Sequence, residues 1–253
     1  MNIEQLLPIA KDAGAAILKI YNNPDQSKVV DYKADDSPLT LADQAANEVI
    51  VAALRKNFPE VHIISEEGKD IPYPVRKDWE TFFLVDPLDG TKEFIKRNGQ
   101  FTVNIALIEN GKPTMGVVYT PVTDTMYFGD IHKGAFKQVG EEAVQPLQVN
   151  HKSTERVAVR SASHASPEEE TVLKKYDVQD EISVGSSLKF CMVAEGKADL
   201  YYRHGPTMEW DTAAGQAVAL AAGAKMYVGN TEEKEFTYNK ESLLNSGFLV
   251  LGF

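Results

Sequence analysis

Two aspartates stand three residues apart in the segment Asp86-Pro87-Leu88-Asp89-Gly90-Thr91. The apolar run before it, residues 81–85, predicts a buried strand, and Pro87 predicts a turn that directs both carboxylates toward one point. The same turn can direct the carbonyl oxygen of Leu88 inward as a further oxygen ligand. Residues 92–96 are predicted to be helical, and the free N–H groups at the start of a helix bind anions. The segment therefore predicts a cation site beside a phosphate site, although an acidic surface turn that caps a helix explains it equally well when taken alone.

Two other acidic segments occupy comparable positions. Glu66 and Glu67 follow the apolar run 61–64, and Asp211 stands at the predicted N-cap of an apolar helix over residues 212–222. Each has an ordinary interpretation as a solvated charge pair or a helix cap. If the fold gathers them, however, unit charges at ~4 Å repel by about 4 kcal/mol at an effective dielectric near 20, so a cation is needed. Oxygen ligands without a His or Cys cluster favour Mg²⁺, with Mn²⁺ as a substitute.

These three segments match a known signature in their order and spacing. Glu66-Glu67, the segment 86–91 and Trp210-Asp211-Thr212-Ala213-Ala214-Gly215 resemble the inositol monophosphatase superfamily, a group of magnesium-dependent, lithium-sensitive phosphatases. The similarity extends over nearly the whole chain and implies an αβαβα layered sandwich. It also implies a set of metal ligands, namely Glu66, Asp86, the Leu88 carbonyl, Asp89 and Asp211.

The same resemblance implies roles around the metal ions. Asp43 and Thr91 match the pair that orients and deprotonates the attacking water, and Glu67 is a candidate for positioning a further metal ion or water. Asp43 also has a structural interpretation, because Thr40 and Asp43 are spaced as a helix capping box. The implied substrate contacts are Glu66, Leu88, Asp89, Gly90, Thr91, His164, Ser186, Lys189, Arg203 and Asp211.

Residues 92–99, 185–191 and 199–203 resemble one branch of the superfamily, the bacterial 3′(2′),5′-bisphosphate nucleotidases of the CysQ type. This implies hydrolysis of the 3′-phosphate of adenosine 3′,5′-bisphosphate, or of its sulfated relative, to AMP and phosphate by metal-activated water. Lys189 and Arg203 suit a cationic clamp for a second phosphate that is not cleaved. The alternatives are an inositol or sugar phosphate phosphatase and, more remotely, a non-catalytic protein that binds divalent cations. Thr91 and Asp43 disfavour the last of these, because simple binding needs no water-activating pair.

The helices and strands that must position these residues follow a different order in the two halves of the chain. The first half predicts helices over residues 3–21 and 41–56. Strands over 61–65, 81–85, 103–109, 115–120 and 125–128 should then form a mainly antiparallel meander. The second half alternates strands at 157–160, 182–184, 200–203, 225–228 and 248–251 with helices at 167–175, 187–195 and 212–222. We therefore expect a mixed α/β (α+β) protein. An N-terminal α+β subdomain (residues 1–140) should carry most metal ligands, and a C-terminal α/β subdomain (150–253) the nucleotide pocket and Asp211.

Composition limits the partners. The 253 residues include 26 Lys and Arg against 37 Asp and Glu, a net charge of −11, which disfavours a nucleic acid polymer as ligand and leaves a small nucleotide bisphosphate open. The single cysteine, Cys191, excludes an internal disulfide and is expected to be a buried thiol. The sequence shows no secretory signal and no membrane-spanning run. We expect a cytoplasmic monomer or weak homo-oligomer, with peripheral association with the inner membrane left open.

Overall fold

The computed structural model describes residues 1–23, 25, 30–32, 38–152, 154–160 and 167–253. The helices are α1 Leu7–Tyr21, α2 Leu41–Asn57, α3 Tyr73–Arg76, α4 Thr91–Ile95, α5 Pro167–Lys175, α6 Leu188–Ala194 and α7 Glu209–Ala221. The strands are β1 Val30–Tyr32, β2 Pro38–Thr40, β3 His62–Ser65, β4 Thr81–Asp89, β5 Thr102–Glu109, β6 Lys112–Thr120, β7 Thr125–Asp130, β8 Gly134–Val139, β9 Gln145–Leu147, β10 Arg156–Arg160, β11 Val178–Ser183, β12 Leu200–Arg203, β13 Thr207–Met208, β14 Lys225–Val228, β15 Leu244–Asn245 and β16 Phe248–Leu251. Short 3-10 helices occur at Ile3–Gln5 and Pro121–Thr123.

Two large sheets form the framework. The first has the strand order β3-β4-β5-β6-β7-β8-β9, in which β3 runs parallel to β4 and each following pair is antiparallel. The second has the order β11-β10-β12-β16-β14 and is mixed. Helices α1 and α2 cover one face of the first sheet, α6 and α7 lie between the sheets, and α5 packs on the outer face of the second. The expected αβαβα sandwich is confirmed.

Helix α7 lies unusually close to the first sheet, because small residues face each other across the interface. A Cβ atom added to Gly116 in β6 would collide with the backbone of Ala214 and the side chain of Ala217. A Cβ atom added to Gly129 in β7 would likewise collide with the backbone of Val218, in the next turn of the same helix. Close backbone approach leaves little freedom for the helix to shift, and the start of α7 carries Asp211.

Two local predictions around the acidic residues are wrong. The strand expected to end at residue 85 continues through Asp89, and no separate turn forms at Pro87. Asp86 pairs with Asn104 and Asp89 with Thr102, so β4 holds one more residue than β5 over this interval, which is a β-bulge. A bulge tolerates proline because it interrupts the hydrogen-bond ladder. Helix α7 begins at Glu209, so Asp211 occupies its third position rather than the N-cap, and it accepts the N–H of Met208 at 2.8 Å.

Most other long elements lie where they were expected, whereas the short elements β1, β2, α3, β13 and β15 were not predicted. The strand predicted at residues 182–184 instead spans Val178–Ser183. The strands β8 and β9, the last two of the first sheet, were not anticipated, because their partly exposed residues lack a clear apolar pattern. Strand β9 lies between residues 140 and 150, the interval between the two predicted subdomains, and it pairs with β8. The division into residues 1–140 and 150–253 stays a prediction. None of the helices in the described ranges combines the length and apolar character that crossing a membrane requires.

Candidate active site

Three carboxylates from distant parts of the sequence meet at one end of the first sheet. Glu66 follows β3, Asp86 lies in the parallel neighbour β4, and Asp211 lies in the first turn of α7. Each offers an oxygen atom, and these atoms all lie within 4.8 Å of one another. Parallel pairing explains the first two, since Ser65 lies opposite Val85 and both acids follow immediately. The expectation that the fold gathers these acids is thus met for Glu66, Asp86 and Asp211.

Burial makes this cluster electrostatically costly in the absence of a cation. Asp86 is 1% exposed. Burial raises its pKa well above the usual range, and the charges of Glu66, Asp89 and Asp211 raise it further. Burial also raises the pKa of Asp211, with the charge of Asp89 as the next cause. A divalent cation bound between the oxygens would remove this repulsion, so the donor set fits a hard metal ion.

Asp89 lies beside this group and is held by two buried side chains. Its Oδ2 atom accepts hydrogen bonds from Ser187 Oγ at 2.8 Å and from Asn104 Nδ2 at 3.4 Å. Ser187 Oγ also lies 3.0 Å from the carbonyl oxygen of Asp211, so it connects Asp89 to the first turn of α7. Neither residue was predicted from the sequence to belong to the site. Asn104 could have been noticed as a polar residue within an apolar strand, but Ser187 carried no signal beyond its neighbour Ser186.

Asp43 serves as a helix cap and contacts Thr91 at the same time. Its Oδ2 atom accepts the N–H of Thr40 at 2.8 Å and the Thr40 hydroxyl at 2.6 Å, which confirms the capping box. Its other oxygen accepts the Thr91 hydroxyl at 3.3 Å. Burial raises the pKa of Asp43, the Thr40 hydrogen bonds oppose this, and the nearby charge of Glu67 adds to it. The structural and the proposed catalytic interpretations of Asp43 are therefore compatible.

The bulge also orients the backbone between the two aspartates. Leu88 donates its N–H to Asp86 Oδ1 at 3.0 Å, and the Thr91 hydroxyl lies 3.5 Å from the Leu88 carbonyl oxygen. Gly90 adopts a left-handed conformation (φ 94°) that glycine accepts without strain, and it allows α4 to begin at Thr91. A Cβ atom at Gly90 would approach the carbonyl oxygen of Gln100 to 3.1 Å. The functional roles of Leu88, Gly90 and Thr91 stay predictions.

A cleft of about 500 Å³ begins at Asp89 and Asp211 and continues away from them. Its lining includes four cationic side chains, those of Lys92, Lys96, Lys189 and Arg203. Two further polar atoms are buried and, within the part of the chain that the structure describes, lack a hydrogen-bond partner: Ser186 Oγ and Arg203 Nε. Buried polar atoms are usually satisfied, so these two indicate a ligand group that supplies the missing partners.

Lys189 is the most enclosed of the four cations. It is 6% exposed, and its Nζ atom donates to the Ser186 carbonyl oxygen at 2.7 Å. Burial lowers the pKa of Lys189 to about 8, although the nearby negative charge of Asp89 acts to raise it.

Among the other predicted site residues, His164 lies outside the described residues. Cys191 is a fully buried free thiol, as expected.

Comparison with known proteins gives consistent matches over the full chain. A model of the inositol monophosphatase family matches residues 3–248. The chain is 47% identical over 250 residues to the 3′(2′),5′-bisphosphate nucleotidase CysQ of Salmonella typhimurium, covering 98% of each sequence. It is 48% identical over 249 residues to the enzyme of the same name from Escherichia coli K12, again covering 98% of each.

Solved structures show the same relationship. The crystal structure of CysQ from Bacteroides thetaiotaomicron matches with a TM-score of 0.86 at 45% identity, covering 99% of this chain and 97% of the other. An extragenic suppressor protein suhB from Bartonella henselae matches with a TM-score of 0.78 at 22% identity, covering 98% of this chain and 92% of that one. At that identity the second likeness concerns the fold alone.

Proposed function

Because the chain belongs to the inositol monophosphatase family, we propose that it is a 3′(2′),5′-bisphosphate nucleotidase. It is a phosphoric monoester hydrolase that removes the 3′-phosphate of adenosine 3′,5′-bisphosphate, or of the sulfated form, and leaves AMP and phosphate. The relatives that carry this name match it at 47% and 48% identity over 98% of the chain.

One observation carries the choice of substrate class. The cleft has an acidic end, with Asp89 and Asp211, and a cationic region with Lys189 and Arg203, within one continuous space. A substrate with two phosphates fits this arrangement, because one phosphate can lie at the acidic end while the other neutralises the cations. The buried Arg203 Nε, which lacks a partner in the described residues, supplies a donor for that second phosphate.

The acidic end is suited to Mg²⁺, with Mn²⁺ as a substitute. Glu66, Asp86, Asp89, Asp211 and the Leu88 carbonyl would hold the ions, and their all-oxygen chemistry is what these hard cations prefer. A bound ion of this kind lowers the pKa of water and neutralises the charge that develops on the departing ribose oxygen. The raised pKa of Asp86 supports this assignment, because burial and neighbouring acids leave that carboxylate in need of a counter-charge.

The chain's own residues then position the water and the phosphoryl group. The Thr91 hydroxyl donates to Asp43 Oδ1, which leaves the lone pairs of its oxygen free to accept a hydrogen bond from the attacking water. Asp43 has a raised pKa, which makes it a better proton acceptor than an ordinary aspartate. Glu67, whose charge raises that pKa, is the candidate for holding a further ion or water. The backbone N–H groups of Gly90 and Thr91 would hold phosphoryl oxygens.

The cationic region binds the part of the substrate that does not react. Lys189 and Arg203 would hold the second phosphate, Ser186 Oγ would donate to it, and His164 is a predicted member of the same pocket. Binding energy gained here orients the 3′-phosphate at the acidic end, so this energy contributes to turnover as well as to affinity.

The proposal includes a cytoplasmic location and a monomeric or weakly homo-oligomeric state.

The test is phosphate release with Mg²⁺ from adenosine 3′,5′-bisphosphate, inositol 1-phosphate and fructose 1,6-bisphosphate. We expect the highest kcat/KM for the nucleotide, because the other two cannot place a second phosphate and a nucleoside in the cationic region together. A higher kcat/KM for inositol 1-phosphate or for the sugar would contradict the assignment and favour the alternative, an inositol or sugar phosphate phosphatase.

A further inference from the structure

An ion pair between a buried glutamate and a partly exposed lysine lies at the start of α7, two residues before Asp211. The side chain of Glu209 is 0% exposed, and its Oε1 atom lies 2.5 Å from Lys240 Nζ. Glu209 also accepts the backbone N–H groups of Asn239 at 2.8 Å and of Lys240 at 3.0 Å. Residues 239 and 240 therefore supply the cation and two backbone donors for this anion.

The same lysine is connected through Asn245 to Met208 and Thr212, which lie on either side of Asp211 in the chain. Lys240 Nζ donates to Asn245 Oδ1 at 2.8 Å. Asn245 Nδ2 in turn donates to the Met208 carbonyl oxygen at 2.8 Å and to Thr212 Oγ1 at 3.3 Å. Met208 is the residue whose N–H binds the Asp211 carboxylate. The Met208 carbonyl and the Thr212 hydroxyl, on either side of Asp211, are thus held by Asn245, which Lys240 binds in turn.

Arg76 connects this arrangement to the segment that carries Glu66. Arg76 is 3% exposed and ends α3, the first helix after Glu66 in the chain. Its guanidinium donates to Asn239 Oδ1 at 2.8 Å, to the Lys240 carbonyl oxygen at 2.7 Å and to the Glu241 carbonyl oxygen at 2.9 Å. The segments that carry two of the three clustered carboxylates are therefore connected through residues 239–241, which bind Arg76 on one side and Glu209 on the other.

Open space separates these two segments near the carboxylates. A cleft of about 370 Å³ is lined on one side by Glu66 and Arg76 and on the other by Met208, Trp210 and Leu243. Packing of α7 on the first sheet brings Asp211 near Glu66, but side chains do not fill the space of this cleft. The hydrogen bonds of Arg76 and Lys240 are additional contacts that hold the two segments on either side of it.

We propose that Glu209, Lys240 and Arg76 are positioning residues that set the separation of the Glu66 and Asp211 carboxylates for a divalent cation. The inference rests on the metal role that the proposed function gives to these carboxylates. Residues that orient metal ligands from behind typically contribute 10–100-fold in metal affinity. None of the three needs to touch the substrate or the metal ion for this effect.

The test measures Mn²⁺ binding to the full chain by isothermal titration calorimetry, without substrate, in wild type, Lys240→Met and Lys240→Arg. We expect Lys240→Met to weaken Mn²⁺ binding by roughly 10–100-fold and Lys240→Arg to restore most of it. Lys137→Met is the control for loss of a lysine beside an enclosed glutamate, because Lys137 lies 3.2 Å from Glu195, which Lys197 also contacts at 2.6 Å. Lys137 and Glu195 line neither cleft. Thermal melts without metal record the loss of stability in each variant.

The double variant Glu209→Gln with Lys240→Met provides a second route if Lys240→Met alone does not fold, since it leaves no uncompensated buried charge. We expect it to fold and to bind Mn²⁺ more weakly than wild type, because the connection to Asn245 is still lost. Wild-type affinity in Lys240→Met or in the double variant would overturn the inference while leaving the proposed function intact. Equal losses in Lys240→Met and Lys137→Met would also overturn it. Absence of Mn²⁺ binding in wild type would instead remove the metal premise of both proposals.

Discussion

The two ends of the main cleft are built in opposite ways. At the acidic end, the oxygens of Asp86, Asp89 and Asp211 accept hydrogen bonds from Leu88, Ser187 and Met208. These acids come from β4, the second strand of the first sheet, and from the first turn of α7. At the cationic end, Ser186 Oγ and Arg203 Nε are buried without a partner in the described residues. Each of these three acids is already held by a protein donor, whereas the cationic end has buried polar atoms without a partner in the described residues.

This difference indicates that the acidic end determines turnover and the cationic end determines substrate preference, a division between the two ends. Groups that are already held in place can act on whatever phosphate reaches them, because preorganised charges need no rearrangement during the reaction. Groups with unused donors gain most from a ligand that satisfies them, and they penalise a ligand that does not. Changes at the acidic end should therefore lower turnover on every substrate. Changes at the cationic end should alter which substrate is preferred.

The strongest test of this division is Asp89→Asn. The amide keeps the size of the side chain and an oxygen that can accept from Ser187, but it removes the charge at the acidic end. We expect kcat to fall by roughly 10³-fold on every phosphate ester, with the melting temperature nearly unchanged. Steady-state phosphate release and a thermal melt check both parts. The control is Asp78→Asn, because the Asp78 side chain is 87% exposed. Near-normal turnover in Asp89→Asn would mean that Asp89 is not part of the reacting site.

The sequence predicts the features that local patterns determine, and it does not predict those that distant residues determine. The layers followed from periodic apolar residues, and the Thr40–Asp43 capping box followed from a local spacing, so both could be read directly. The bulge in β4 was read as a turn, because Asp-Pro and Asp-Gly favour turns locally while the pairing with β5 is decided by distant residues. Asp211 was placed at the N-cap, because the sequence does not show that the helix begins earlier, at Glu209.

Contacts between distant residues carried no sequence signal. Arg76 and Lys240 are 164 positions apart, and nothing in either segment indicates that they meet. Ser187 belongs to a segment recognised by resemblance, but its contact with Asp89 across 98 positions appears only in the fold. The resemblance identified the acids that gather at the site, whereas the residues that hold them in place had to be found from the structure.

A smaller effect, confined to one substrate class, is expected for Arg203→Ala. A hydrogen bond to a charged group contributes about 1.5–3 kcal/mol, so kcat/KM for adenosine 3′,5′-bisphosphate should fall by roughly 10- to 100-fold. The value for inositol 1-phosphate should change much less, since that substrate has no second phosphate to bind. Arg55→Ala, at an exposed position of α2, is the control for loss of an arginine. Equal losses on both substrates would show that Arg203 does not distinguish them.

The smallest effect that we expect is a gradual rise of KM with pH, caused by loss of the Lys189 charge. Burial lowers the pKa of this lysine to about 8, so its positive charge is present below that pH and is lost as the pH rises through it. If the Lys189 cation holds the second phosphate, KM for adenosine 3′,5′-bisphosphate should rise above pH 8, by at most about tenfold per pH unit. The KM for inositol 1-phosphate should not follow this rise. In Lys189→Arg the charge persists, because a guanidinium stays protonated, so the rise in KM should disappear. A rise of the same size for both substrates, or one that survives in Lys189→Arg, would assign the pH dependence to the acidic end, and the two ends of the cleft would then not act separately.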